Sequence, residues 1–263
     1  MARPEPTLPD RARGALLGLA LGGDATAPLA LLLAEELLAP EVDLRRLADR
    51  WIGWLRRDGR GVDGWTRTAL EHIARHDSPP ADMPAPVRAA GLGRAIPVGV
   101  AAWRSPRNLV SGTWHVVALT HPDPRCTWGG VAVNVALACF LDGRRDAVPD
   151  VIEALRNNDA PAELLAAVRR VPLERWDEIG RNGDDAPPVV LDVERALWCA
   201  HHAPDLDAAL ALLGHDGDPD ALPLIGALLG ARDGVDGRGA ARLASVPAAA
   251  QLRSAADRLT GAA

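Results

Sequence analysis

The chain has 263 residues, 48% hydrophobic and 24% charged, the balance of a folded protein with a sizeable core rather than of a disordered one. A formal charge of -6 and a pI near 5.6 argue against a basic nucleic-acid-binding face, so no nucleic-acid partner is expected. Every basic residue is arginine, which removes a lysine nucleophile, a Schiff base and a Walker-type phosphate loop together.

Residues 1–11 read as an N-terminal tail, and residues 12–263 as one domain. The tail carries Arg3, Pro4, Glu5 and Pro6 without the charged-then-apolar order of a secretory leader, so a cytoplasmic location is the expectation. The apolar run Ala15–Leu21 is too short to cross a membrane, and no membrane partner is expected. Apolar residues then recur at helical spacing over Pro28–Leu38 and Asp43–Arg57. In the second segment Asp43 is a natural N-cap, and Leu44, Leu47, Ala48, Trp51, Trp54 and Leu55 share one face.

Further helices are predicted over Trp65–His76, Val131–Leu141, Ala147–Arg156, Pro161–Arg170, Val189–His201, Leu206–Leu213, Pro223–Ala231 and Ala248–Leu259. Ile96–Ala101 and Val116–Leu119 have strand-like composition but no alternating partner. Strand–helix alternation is missing, which leaves an all-α fold. The proline-rich Ser78–Pro86 and the Asn182–Pro188 segment are surface loops, and no internal repeat is visible.

The densest cluster of potential chemistry is Gly214-His215-Asp216-Gly217-Asp218-Pro219-Asp220. Three carboxylates crowd a turn before a helix, where a hard cation or backbone N–H groups would offset their charge. The same pattern also suits an acidic surface turn in which Asp218 or Asp220 caps the helix. Gly22-Gly23-Asp24-Ala25-Thr26 is a second candidate, otherwise a tight interhelical turn. The third is Thr120-His121-Pro122-Asp123-Pro124, a rigid turn carrying an imidazole and a carboxylate. His72 and His76 lie four apart but lack a third ligand. Cys126, Cys139 and Cys199 sit in no motif and read as buried thiols. Eight tryptophans accompany one phenylalanine and no tyrosine; Trp103, Trp114 and Trp128 flank the His121 turn, either as core or as walls for a planar group.

The order of these pieces is more specific than any one of them. Gly14-Ala-Leu-Leu-Gly-Leu-Ala-Leu-Gly22 leads to Gly23-Asp24, followed by a helix and turn from Trp51 to Gly61. Gly91-Leu-Gly-Arg-Ala-Ile-Pro-Val-Gly99 and Leu119-Thr-His-Pro-Asp-Pro124 come next. The series closes with Val190-Leu-Asp-Val-Glu-Arg-Ala-Leu-Trp198, the Gly217-Asp218-Pro219-Asp220 turn and Gly226-Ala-Leu-Leu-Gly-Ala231. Across roughly residues 12–260 the chain resembles the ADP-ribosylglycohydrolase family.

That resemblance implies a compact helical domain with a central cleft and hydrolysis of a glycosidic bond to ADP-ribose, usually with two Mg2+ or Mn2+ ions. Carried over, it assigns catalytic and metal roles to Asp24, Asp218 and Asp220, with Asp216 assisting. Thr26, His121, Asp123, Trp128 and Gly217 take substrate-binding roles. The expected partner is a small-molecule or ADP-ribosylated substrate.

The sequence departs from the family pattern at both acidic corners. Gly23-Asp24-Ala25-Thr26 aligns with either early family motif: on the metal motif, Gly23 and Ala25 stand where it has Thr and Asp, and on the preceding Gly-Asp motif the metal motif is absent. Ala221 replaces the late threonine, and Pro223 is expected to disturb the following helix. One Mg2+ or Mn2+ ion, or none, is the corresponding expectation. A metal-independent enzyme of specialised metabolism, or a non-catalytic ADP-ribose or nucleotide binder, are the alternative readings of the same fold.

Overall fold

The computed structural model describes residues 5–22, 25–84, 87–179, 186–214, 220–236 and 239–262. These residues form α1 (Leu8–Leu19), α2 (Thr26–Leu37), α3 (Leu44–Arg57), α4 (Gly64–His76), α5 (Ile96–Ala101), α6 (Pro106–Ala118) and α7 (Pro124–Leu141). Then follow α8 (Val148–Asn157), α9 (Ala162–Arg170), α10 (Pro188–His202), α11 (Leu206–Leu213), α12 (Leu222–Asp233), α13 (Ala240–Ala244) and α14 (Ala249–Thr260). No strand occurs among them, as the missing alternation predicts.

Side-chain caps open α1, α3, α4, α7 and α11. Asp43 Oδ1 accepts from the N–H groups of Arg45 and Arg46 and opens α3. Asp63 accepts from Thr66 N at 2.8 Å and opens α4, and Asp205 accepts from Ala208 N and opens α11. The tail is shorter than residues 1–11. Thr7 and Asp10 form a reciprocal capping box, α1 begins at Leu8, and Arg11 is buried against the carbonyls of Ala231 and Arg232. The two strand-like pieces are helical. Ile96–Ala101 is α5 and Val116–Ala118 ends α6, because burial of their β-branched side chains among neighbouring helices outweighs β propensity. Pro223 does not disturb α12; it occupies the first turn, where no intrahelical N–H donor is needed.

The centre is built on α1 packed against α12, with α14, α10 and α7 around them. Small residues permit the approach: a Cβ on Gly14 would overlap the carbonyl oxygen of Gly230, and one on Gly18 that of Gly226. Further along the same seam, a Cβ on Gly22 would overlap the Pro223 ring. The seam therefore carries the segment before α2 directly onto the start of α12. Arg232, buried beside it, donates to the carbonyls of Ala200, Ala203 and Pro204 and satisfies groups at the end of α10. Among the described residues no helix is long and apolar enough to cross a membrane.

Candidate functional site

Where α1 hands over to α2, the chain lies against the N-terminus of α12, and a small hollow opens between them. Thr26, Asp63, Ala90, Arg94, Asp220 and Pro223 line it. Its volume is about 60 Å³, room for a few water molecules. The walls are close: a Cβ on Gly93 would stand 2.6 Å from Pro223 Cβ and 3.1 Å from Thr26 Cγ2. Among the described residues no N-cap side chain bonds the start of α2 or of α12.

Arg94 is the organising charge of this region. It is 3% exposed. It donates to Thr66 Oγ1 at 3.1 and 3.2 Å, to Thr120 Oγ1, and to His121 Nδ1 at 3.2 Å. Its guanidinium also lies 5.3 Å from the centre of the Trp51 ring. Burial pulls its pKa down to about 10 against the raising influence of Asp63, so it stays cationic at neutral pH. Burial of Asp63 would by itself raise that carboxyl. The Arg94 charge and the hydrogen bonds from Thr66 outweigh burial and hold it below the usual carboxylate range.

His121, fully buried, is pushed down to about 3, first by burial and then by the Arg94 charge. With Nδ1 accepting from Arg94, the imidazole is neutral with its proton on Nε2. His121 Nε2 and Arg94 Nε are both buried without a hydrogen-bond partner among the described residues. Trp65 closes the network by donating its indole N–H to Thr120 O at 2.6 Å.

The expected site residues thus separate into three groups. Thr26 and Asp220 share the hollow. Asp24, Asp216, Gly217 and Asp218 lie outside the described residues. His121 belongs to the buried network behind Arg94, while Asp123 caps α7 through Arg125 N at 2.8 Å and pairs with the Arg125 side chain. Trp128 lines a different concavity, between α6, α7 and α8. His72 and His76 stack at 4.5 Å near the end of α4, apart from the hollow. The three cysteines are free and buried, with thiols pushed up by desolvation.

Asp63 and Arg94 escaped the sequence reading. Asp63-x-x-Thr66 before an amphipathic helix is a capping signature, and Arg94 is a charge inside the apolar stretch Ala89–Val100. Either signal could have drawn attention to them.

The described part of the lining does not by itself supply a two-ion metal centre; Asp24, Asp216 and Asp218, three of the four expected ligands, lie outside the described residues. The described part offers the carboxylates of Asp63 and Asp220 and the Thr26 hydroxyl, and a guanidinium acts on each carboxylate: Arg94 on Asp63, and Arg88 at 3.7 Å from Asp220. A hard divalent pair needs several carboxylates free to turn toward it. Among the described residues no three His, Cys, Asp or Glu side chains group closely enough to hold one ion.

Comparison with known proteins gives the relationship. The sequence family described as ADP-ribosylglycohydrolase matches residues 23–263. A solved structure titled "ADP-ribosylglycohydrolase-related protein complex" superposes with a TM-score of 0.77 at 23% identity, covering 97% of this chain and 98% of that one. No curated protein matches the chain.

Proposed function

Because the chain belongs to the ADP-ribosylglycohydrolase family, which supports a hydrolase-like function on this fold, we propose that it cleaves a glycosidic bond of an ADP-ribosyl or nucleoside-like substrate at the mouth of the Thr26–Asp220 hollow. The observation that carries the reading is the meeting of Thr26, at the start of α2, with Asp220, just before α12, in one water-sized space. The orphaned Nε of Arg94, on the same lining, favours a water there.

The chemistry needs water to add to the anomeric carbon, the glycosidic bond to break, and the leaving group to gain a proton. Asp220, half-buried on the lining, is the base proposed to take the proton of that water and to return it to the leaving group. Asp63, held ionised, faces the positive charge that develops on the sugar ring. Asp24 and Asp218 flank the described residues of the two corners and complete the proposed acidic set. In this reading the reacting water occupies the hollow and the sugar lies at its mouth.

Arg94 and Arg88 favour a metal-independent form of this reading over the single Mg2+ or Mn2+ ion that Asp24, Asp218 and Asp220 would hold, since each described carboxylate already has a cation acting on it. The test is release of ADP-ribose from ADP-ribosylated peptide, followed by mass spectrometry, with Mg2+, with Mn2+ and with excess chelator. Turnover that survives chelation and falls at least about 100-fold in Asp218→Asn/Asp220→Asn is the expected result. Turnover lost on chelation supports the one-ion form. Calorimetric binding of ADP-ribose without any turnover makes the protein a binder, and absence of both rejects the ADP-ribosyl substrate.

A further inference from the structure

A second concavity, sharing no lining residue with the hollow, runs between α6, α7 and α8 and has a volume of about 780 Å³. That falls in the range of small-molecule sites, about 300–1,000 Å³. Its origin lies in an unusual feature of α7. This helix is buried on nearly every side, yet Trp128, Val135 and Ala138, spaced to share one stripe, are left partly open. Trp103 and Trp114 extend the same apolar wall from the α6 side, and Trp114 is 36% exposed.

The indoles here differ from three of the five others. Trp51, Trp65 and Trp198 each donate the ring N–H to a backbone carbonyl. Trp103, Trp114 and Trp128 make no such hydrogen bond among the described residues, and all three line this groove. Two charged side chains on the lining, Arg107 of α6 and Glu153 of α8, have no ion-pair partner among the described residues. By contrast, Arg144 and Asp150 satisfy one another through two contacts of 2.8 Å and add no unmet need.

We propose that this groove binds a flat polycyclic aromatic molecule bearing oxygen substituents. The indoles of Trp114 and Trp128 supply stacking surface, with Trp103, whose ring carries the Arg104 guanidinium 4.3 Å from its centre, at their edge. The three indole N–H groups and the Arg107 guanidinium supply donors for carbonyl or acidic oxygens. Glu153 accepts from a ligand hydroxyl. The groove is independent of the proposed glycosidic chemistry, and its occupant is distinct from the substrate of the hollow.

Anthraquinone-2-sulfonate, with three fused rings, two carbonyls and a sulfonate, is a suitable probe for calorimetry on the full chain. Saturable binding of one molecule per chain is expected, weakened by about tenfold in Trp114→Ala and in Ala154→Phe, which fills the groove. Trp114 is exposed enough that its loss leaves the fold intact, and thermal unfolding of both variants verifies this. Leu173→Ser, on an 80% exposed side chain outside the groove, leaves binding unchanged. Equal affinity for anthracene-2-sulfonate, which lacks the carbonyls, overturns the assigned donors. Non-saturable binding, equal binding by all variants, or self-association that shields Trp114 in sedimentation and fluorescence-quenching measurements overturns the site itself.

Discussion

Gly18 of α1 and Gly226 of α12 pack backbone to backbone, so that a side chain on either would occupy the space of the other's carbonyl group. Gly14 and Gly230 repeat the relationship one turn away. The seam brings the start of α2 and the start of α12 together at the hollow. Site geometry therefore depends on residues that touch neither substrate nor water.

Gly18→Ala tests that dependence. In an exposed helix the substitution would stabilise by about 1 kcal/mol. Here the added methyl meets a backbone carbonyl that cannot rotate away, and we expect a net loss of about 1–3 kcal/mol. Urea denaturation measures it. A gain in stability would show that the helices are not in contact along this seam.

Arg94 has no adequate substitute. Arg94→Met removes the cation that offsets half-buried Asp63 and strips Thr66, Thr120 and His121 of their shared donor. The expected destabilisation is about 3–5 kcal/mol. Thr66→Val is the milder companion: it keeps the shape but leaves Arg94 Nη1 without its acceptor while Nη2 keeps Thr120 and His121, costing about 1–3 kcal/mol. Unfolding of both variants at neutral pH orders them, and a harmless Arg94→Met would mean that Asp63 is not held by this charge.

His121 imposes a pH dependence with a defined sign. Its pKa falls from 6.5 to about 3 on folding, so between those values the unfolded chain binds the proton and the folded one does not. The stabilising contribution is complete above about pH 6.5 and is lost as the pH falls toward 3, with a limiting slope of about 1.4 kcal/mol per pH unit. Asp63, depressed in the folded state, adds a loss in the same direction only below its unfolded pKa near 3.9. Stability of the wild type and of His121→Asn compared at pH 7 and pH 5 isolates the imidazole. The variant starts less stable and shows the smaller drop; equal drops would show that His121 is solvated.

Asp123 is expected to act through α7 alone. Asp123→Ala loses the hydrogen bond from Arg125 N and the ion pair with the Arg125 side chain, and lowers stability by about 0.5–2 kcal/mol. Asp123→Asn keeps the cap and most of the stability. In hydrolysis assays below the unfolding temperature both variants keep the wild-type KM and kcat. A raised KM in Asp123→Asn with unchanged stability would return Asp123 to the substrate.

Much of the fold was legible because helix signals are local. The periodicity of Leu206–Leu213 marks α11 at its observed bounds, with Asp205 capping it, and Asp43 opens α3 as its position predicts. α5 was hidden because Ile96-Pro-Val-Gly-Val100 has neither amphipathic periodicity nor strong helix formers, and its conformation comes from burial against α2, α7 and α14. The start of α1 was hidden because Leu8-Pro9-Asp10 resembles a polar tail until Arg11 is seen under α12. At the site, the acidic corners stand out by composition, whereas Asp63 and Arg94 look like an ordinary cap and an isolated arginine until the chain is folded.

The amino-acid sequence by itself determined the helical class, most of the helix limits and the family, since capping, periodicity and motif order all act over short stretches of chain. Tertiary structure decided which charges face one another, that Trp128 opens onto the α6–α8 groove rather than the hollow, and that His121 is a buried neutral group. These outcomes arise from burial and from contacts between residues distant in the chain. Desolvation and a neighbouring charge shift a side chain's chemistry only after packing has removed the water around it.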